Sequence, residues 1–312
     1  MAGTGDRSPV STRDLSRAAR LLVVRSRREA TGLFAGNYAS AFRGGGLEFD
    51  ESRPYVPGDD VRSIDWNATA RHGETFVKLF REERDQTLLF ALDVSASMRF
   101  GSSGASQAGV AAHALALLSA AAGRAGDSVG LVAFDAALRA QVPVARGVAH
   151  SLRVVRTALA CAAAADGATR LAVGLRALRA QAQRRHAVIV VLSDFRDDEG
   201  ARAAGDELAF LSRRHDVVAA VLVDPREILL PRAGVVRIAD PEAPGLTLVL
   251  DTGSGRARSR YLTACAERRR RLLAWLRRAG AEPVWLRNDR SPLHPLGRFF
   301  RERAARRARV AA

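Results

Sequence analysis

Asp93, Ser95 and Ser97 alternate along Asp93-Val94-Ser95-Ala96-Ser97-Met98, a D-x-S-x-S spacing that can aim three oxygen side chains from one loop at one point. Two more oxygen donors fall at loop positions further on. Thr169 closes Asp166-Gly167-Ala168-Thr169 between two helical stretches, and Asp194 follows an apolar run in Ser193-Asp194-Phe195. Two carboxylates and three hydroxyls are hard ligands, suited to Mg²⁺, which keeps several of its waters, with Mn²⁺ as the close substitute. A turn capping the next helix would account for Asp93–Ser97 alone, but not for five oxygen donors in order on three elements.

Such donors need a frame. The runs at 87–92, 129–134, 188–192 and 217–223 are continuously apolar and of strand length, the pattern of strands buried on both faces in a parallel sheet. Between them lie Ala- and Leu-rich stretches. Val110, Ala114, Leu117, Leu118 and Ala121 share one helical face, and further helices are expected at 148–164, 171–184, 200–213 and 258–278. The alternation predicts an α/β fold with a doubly wound, mostly parallel, Rossmann-like sheet. Residues 138–144, after the turn at Asp135-Ala136, read as an antiparallel edge strand, and 283–286 as the last strand. Ligands of such sheets bind beyond the C-terminal strand ends, where Asp93 and Asp194 fall.

Composition shifts near residue 87. Half of the aromatic residues lie within 31–90, in a stretch dense in glycine, proline and charge. A helix at 12–28 and short strands at 47–49 and 76–80 are expected there, giving a small loop-rich N-terminal module over 1–86. The large domain then spans 87–290. Residues 291–312, with Pro292 and Pro295 before an Arg-rich end, read as a basic tail separable from the fold.

D-x-S-x-S after the first strand, a Thr in the middle loop and an Asp after a later strand resemble the metal-ion-dependent adhesion site of von Willebrand A-type (vWA) domains. By that resemblance Ser95 and Ser97 ligate the metal directly, Thr169 directly or through water, and Asp93 and Asp194 mainly through water. Upstream, Arg43-Gly44-Gly45-Gly46-Leu47-Glu48-Phe49, Arg53-Pro54-Tyr55-Val56-Pro57-Gly58-Asp59-Asp60 and Arg62-Ser63-Ile64-Asp65-Trp66 resemble the signature of domain-of-unknown-function family 58. Those are bacterial vWA proteins associated with MoxR-type AAA+ ATPases, and the similarity runs over about residues 30–290. It implies a non-enzymatic adaptor that grips an acidic residue of such an ATPase in the maturation or remodelling of a client protein. Many members carry N-terminal membrane helices. Physically, Asp59, Asp60 and Asp65 beside Arg53, Arg62 and Arg71 read as ion pairs and turn caps.

Other chemistry is weaker. Gly126-Asp127-Ser128-Val129-Gly130 matches the G-x-S-x-G nucleophile elbow, but a helix precedes and a strand follows, the inverse of what the elbow needs. The six histidines show no zinc spacing, and Gly44–Gly46 precedes no phosphate-loop lysine. Cys161 and Cys265 make no disulfide framework. With a polar N-terminus and no uninterrupted apolar stretch near the roughly 18 residues of a membrane span, a cytoplasmic protein is expected. The net charge is +16, and Lys78 is the lone lysine among 49 basic residues. From 255 onward 17 arginines face four acids, a net of +13, so the basic excess is C-terminal. A nucleic-acid-binding role through that region, and a metal-dependent hydrolase, are the alternatives; no aromatic-interleaved motif supports the first.

Overall fold

The computed structural model describes residues 12–42, 47–82, 86–102, 104–164, 167–182, 186–239, 241–242, 245 and 247–311. Arg43–Gly46 and Asp166 lie outside them. Helix α1 (Thr12–Glu29) buries Ala19 and Val23 on one face of an otherwise Arg-rich surface, and α2 (Gly32–Phe42) buries Phe34, Tyr38, Ala41 and Phe42. Strands β1 (Leu47–Pro54) and β2 (Phe76–Glu82) pair antiparallel around the short α3 (Trp66–His72). Asp65 caps α3, accepting from the N–H groups of Asn67 and Ala68, both at 3.1 Å, and from the Ser52 hydroxyl at 2.7 Å. Arg53 holds Asp59 through two 2.7 Å hydrogen bonds. These acids therefore work as caps and ion-pair partners.

The apolar runs form the main sheet. In chain order its strands are β3 (Thr87–Asp93), β4 (Ser128–Phe134), β5 (Leu138–Ala145), β6 (Ala187–Ser193), β7 (Asp216–Val223) and β10 (Glu282–Arg287), in the spatial order β10-β7-β6-β3-β4-β5. All neighbours are parallel except β5, the antiparallel edge strand on β4. A separate antiparallel hairpin, β8 (Val235–Ala239) and β9 (Thr247–Asp251), follows β7. Connecting helices are α4 (Gln107–Ala125), α5 (Val148–Ala164), α6 (Leu171–Gln181), α7 (Ala201–Ser212), α8 (Gly255–Arg278) and α9 (Leu293–Ala311), nine in all among the described residues.

Strand periodicity sorts the core into two layers. Leu88, Phe90 and Leu92 face one cluster with α1, α2, α4, α5 and α9, whereas Leu89 and Ala91 face the other with α6, α7 and the end of α8. Helix α4 is, among the described residues, the one helix long and apolar enough to cross a membrane, yet 67% of that stretch is buried inside the protein. Its composition is that of a core helix.

Two expected boundaries need correction. The N-terminal helices are not a module apart: α1 packs on α4 and α5, and α2 packs on α9, because the apolar faces of α1 and α2 cover one side of the sheet layer. Nor is 291–312 a separable tail. Leu296, Phe299, Phe300 and Arg303 lie at i, i+3, i+4 and i+7 of α9 and are all buried. Pro295 is tolerated because it sits in the first turn. The Arg303 side chain reaches Asp216 at 2.6 Å and Glu282 at 2.5 Å, and Arg306 and Arg307 pair with the same two acids.

Candidate metal centre

Strand β3 has β4 on one side and β6 on the other, so the chain's first crossovers diverge from its C-terminal end, a topological switch point. There the five expected donors meet. Asp93 ends β3, Ser95 lies in the bend that follows, Ser97 opens a one-turn 3₁₀ segment, Asp194 follows β6, and Thr169 comes from the loop between α5 and α6. All five are at most 5% exposed. Ser95 Oγ lies 3.1 Å from Ser97 Oγ, and Thr169 Oγ1 lies 2.8 Å from Ser95 Oγ and 3.5 Å from Asp93 Oδ2. The Ser95 N–H donates to Asp93 Oδ1 at 2.9 Å, turning the loop back over the strand end.

Neighbouring groups hold this arrangement. The Ala96 N–H donates to the Gly167 carbonyl at 2.8 Å, tying the two loops together. Gly167 must be glycine for this approach, since a Cβ there would stand 2.7 Å from the Asp135 carboxylate. Asp197 accepts from the N–H groups of Leu171 at 2.9 Å and Gly200 at 2.8 Å, anchoring the start of α6 beside Thr169. Phe195 adopts a left-handed φ of 56°, a strain of about 1–3 kcal/mol, secured by burial of its ring against Trp275. Ser193 donates to Asp93 Oδ2 at 2.5 Å.

The buried Asp224, at the end of β7, braces the same edge. It accepts from the Ser102 N–H at 2.7 Å and hydroxyl at 2.5 Å, from Asn288 Nδ2 at 2.7 Å and from the Arg226 N–H at 2.8 Å. Burial works to raise its pKa, but these donors outweigh it and hold the carboxyl below its ordinary value. A depressed folded-state pKa adds stability that is present above the unfolded value of about 4 and lost as pH falls through the folded one. Asp224→Ala is therefore expected to cost about 3 kcal/mol in urea unfolding at pH 7, with the gap narrowing below about pH 4.

Two buried carboxylates share the cluster, with Arg196 and Arg268 as the cations beside Asp194. Burial, then the charge of Asp194, push the Asp93 carboxyl up to about 7, despite hydrogen bonds from Ser193 and Ser95. Burial likewise raises Asp194, against the charge of Arg196, the Ser97 hydroxyl and Arg268. Arg196 Nε stands 3.3 Å from Asp194 Oδ2 without hydrogen-bond geometry, and that oxygen is buried with no hydrogen-bond donor. Thr169 has one hydroxyl proton for three oxygens, those of Ser95, Asp93 and Glu242, the last at 2.7 Å. Oxygens in excess of protons, one of them buried without a hydrogen-bond donor, fit a divalent cation. No cluster of three His, Cys, Asp or Glu side chains could hold a metal among the described residues, so any site here depends on its hydroxyls.

Glu242, Ser193, Asp197 and Asp224 were missed by sequence reasoning. For Asp224 a signal was present: β3, β4, β6 and β7 all run into an Asp, at Asp93, Asp135, Asp194 and Asp224. Glu242 lies in an ordinary turn sequence with no such signal. Ser128, the discounted elbow serine, opens β4 at the opposite end of the sheet from the donor cluster and accepts from Arg146 Nε at 3.2 Å.

Fold and site together define an α/β protein with a hydroxyl-and-carboxylate centre at the switch point of a mostly parallel sheet. The chain belongs to the family described as Protein of unknown function DUF58, which it matches over residues 51–271. It is 30% identical over 298 residues to uncharacterized proteins of Mycobacterium bovis (Mb1516) and Mycobacterium tuberculosis (Rv1480), covering 95% of this chain and 92% of each relative. Among solved structures, the conserved hypothetical protein BatB from Bacteroides thetaiotaomicron aligns over 72% of this chain and 99% of its own, with 16% identity and a TM-score of 0.42. An aerotolerance-related membrane protein from Bacteroides fragilis aligns over 70% and 99%, with 16% identity and a TM-score of 0.44.

Proposed function

We propose that the protein is a metal-dependent, non-enzymatic adaptor of vWA type. Asp93, Ser95, Ser97, Thr169 and Asp194 would hold Mg²⁺, or Mn²⁺ in its place, and the bound ion would supply a Lewis-acidic position for a carboxylate of a partner protein. The observation that carries the reading is the convergence of these five buried side chains at the switch point, with Asp194 Oδ2 ion-paired to Arg196 but without a hydrogen-bond donor. Hydroxyl donors are neutral, so an ion held by them keeps much of its charge for an incoming anion. The cluster's hydrogen-bond neighbours are hydroxyls, carboxylates and backbone N–H groups, with Arg196 beside Asp194. None of these is a poised nucleophile–base pair, which favours binding over hydrolysis.

By family resemblance the partner is a MoxR-type AAA+ ATPase acting with this protein on a client in the cytoplasm. The test is co-purification with the ATPase. Binding is expected to be lost in excess EDTA, restored by Mg²⁺, and abolished by Thr169→Ala. Persistence in chelator would move the contact to another surface, such as the N-terminal segment where Val61 and Trp66 stand exposed. A nucleic-acid role is the weaker reading, because Arg303, Arg306 and Arg307 of the basic C-terminal region are committed to Asp216 and Glu282. Heteropolymer affinity falling steeply with salt would support it.

A further inference from the structure

Glu242 reaches the candidate metal centre from a part of the chain that belongs to no layer of the main fold. The strands of the β8–β9 hairpin pair with each other, and Val235, Leu248 and Val249 are exposed on it. In the turn between them, half-buried Glu242 puts both carboxylate oxygens on Thr169. Oε1 accepts from the Thr169 hydroxyl at 2.7 Å and Oε2 from its N–H at 2.9 Å, across 73 residues of sequence.

The hydroxyl it touches is the one 2.8 Å from Ser95 Oγ. Glu242 therefore adds a carboxylate at the rim of a cluster that holds the buried Asp93 and Asp194, and its link to that cluster is Thr169. Adjacent oxygens around an Mg²⁺ ion with bonds of about 2.05 Å lie roughly 2.9 Å apart, close to the hydrogen-bonded 2.8 Å from Thr169 Oγ1 to Ser95 Oγ and 2.7 Å to Glu242 Oε1.

We propose that Glu242 is a built-in carboxylate ligand of the metal centre, one that the carboxylate of an acidic partner must displace. This rests on the metal-dependent reading above. An internal carboxylate acts at an effective concentration in the millimolar range or higher, so it excludes stray acids and yields to a partner that makes additional contacts.

The test uses full-length, chelator-stripped protein with Mn²⁺ as the probe, comparing wild type, Glu242→Ala and the near-isosteric Glu242→Gln. Calorimetry gives Mn²⁺ affinity, and water-proton relaxation reports water on the bound ion. Both variants are expected to bind Mn²⁺ about tenfold more weakly. Their relaxation per bound Mn²⁺ should rise as water takes the vacated position, and acetate should lower it at concentrations that leave wild type unchanged. Equal affinity, relaxation and acetate response in all three would overturn the proposal and leave the metal centre standing, with Glu242 a cap on Thr169. Absence of Mn²⁺ binding by wild type, matching an Asp93→Ala control, would overturn both.

Discussion

Asp93→Ala is expected to weaken Mg²⁺ binding on the order of 100-fold while leaving the protein folded. Asp93 is the hub of the cluster: the Ser95 N–H and the Ser193 hydroxyl donate to it, and Thr169 Oγ1 stands 3.5 Å away. Its loss removes a charge and releases the groups that orient two of the hydroxyl donors. The fold should survive, because the carboxylate is held at a raised pKa by burial and by Asp194, so its removal relieves repulsion in the ion-free protein. Ser95→Ala should weaken binding less, since one neutral donor is lost. Calorimetry with Mg²⁺ at neutral pH is the direct check. Unchanged affinity in both variants would sink the metal-centre reading.

Phe300→Ala is expected to cost about 3–5 kcal/mol. Its ring stands 5.5 Å from that of Phe34, 5.8 Å from Tyr38 and 5.4 Å from Phe42, in edge contacts that join α9 to α2. Truncation after Asp289 should do more damage. It would expose those rings and strand Glu282 and Asp216 without Arg303, which is itself only 4% exposed. The point variant should show a clearly lower urea midpoint with the same slope, and the truncated chain should fail to unfold cooperatively. A truncated protein within about 1 kcal/mol of full length would restore the view of 291–312 as a dispensable tail.

The main sheet was legible because buried parallel strands leave an unmistakable trace: runs such as 188–192 need be apolar on both faces and nothing else. The edge strand at 138–144 was legible from its turn and its mixed polarity. Helix α9 was not, since Arg303 reads as solvent-facing charge until Asp216 and Glu282 are known to lie opposite it. Helix α1 was expected at 12–28, but its docking was not legible, because an Arg-rich composition hides a narrow apolar stripe.

The sequence by itself determined the strands of the main sheet, most of the helices between them, and which oxygen-bearing side chains follow the strand ends, because residue type and position after a strand are local properties. Only the tertiary structure decided what surrounds them. The pressure of Asp194 on Asp93 arises because β6 pairs beside β3, which places the two strand ends together across about a hundred residues of chain. The Glu242 contact arises because a hairpin over 65 residues beyond Thr169 folds back on it. Coulomb interactions and hydrogen bonds depend on distance in space, and no local pattern encodes a distance between such remote segments.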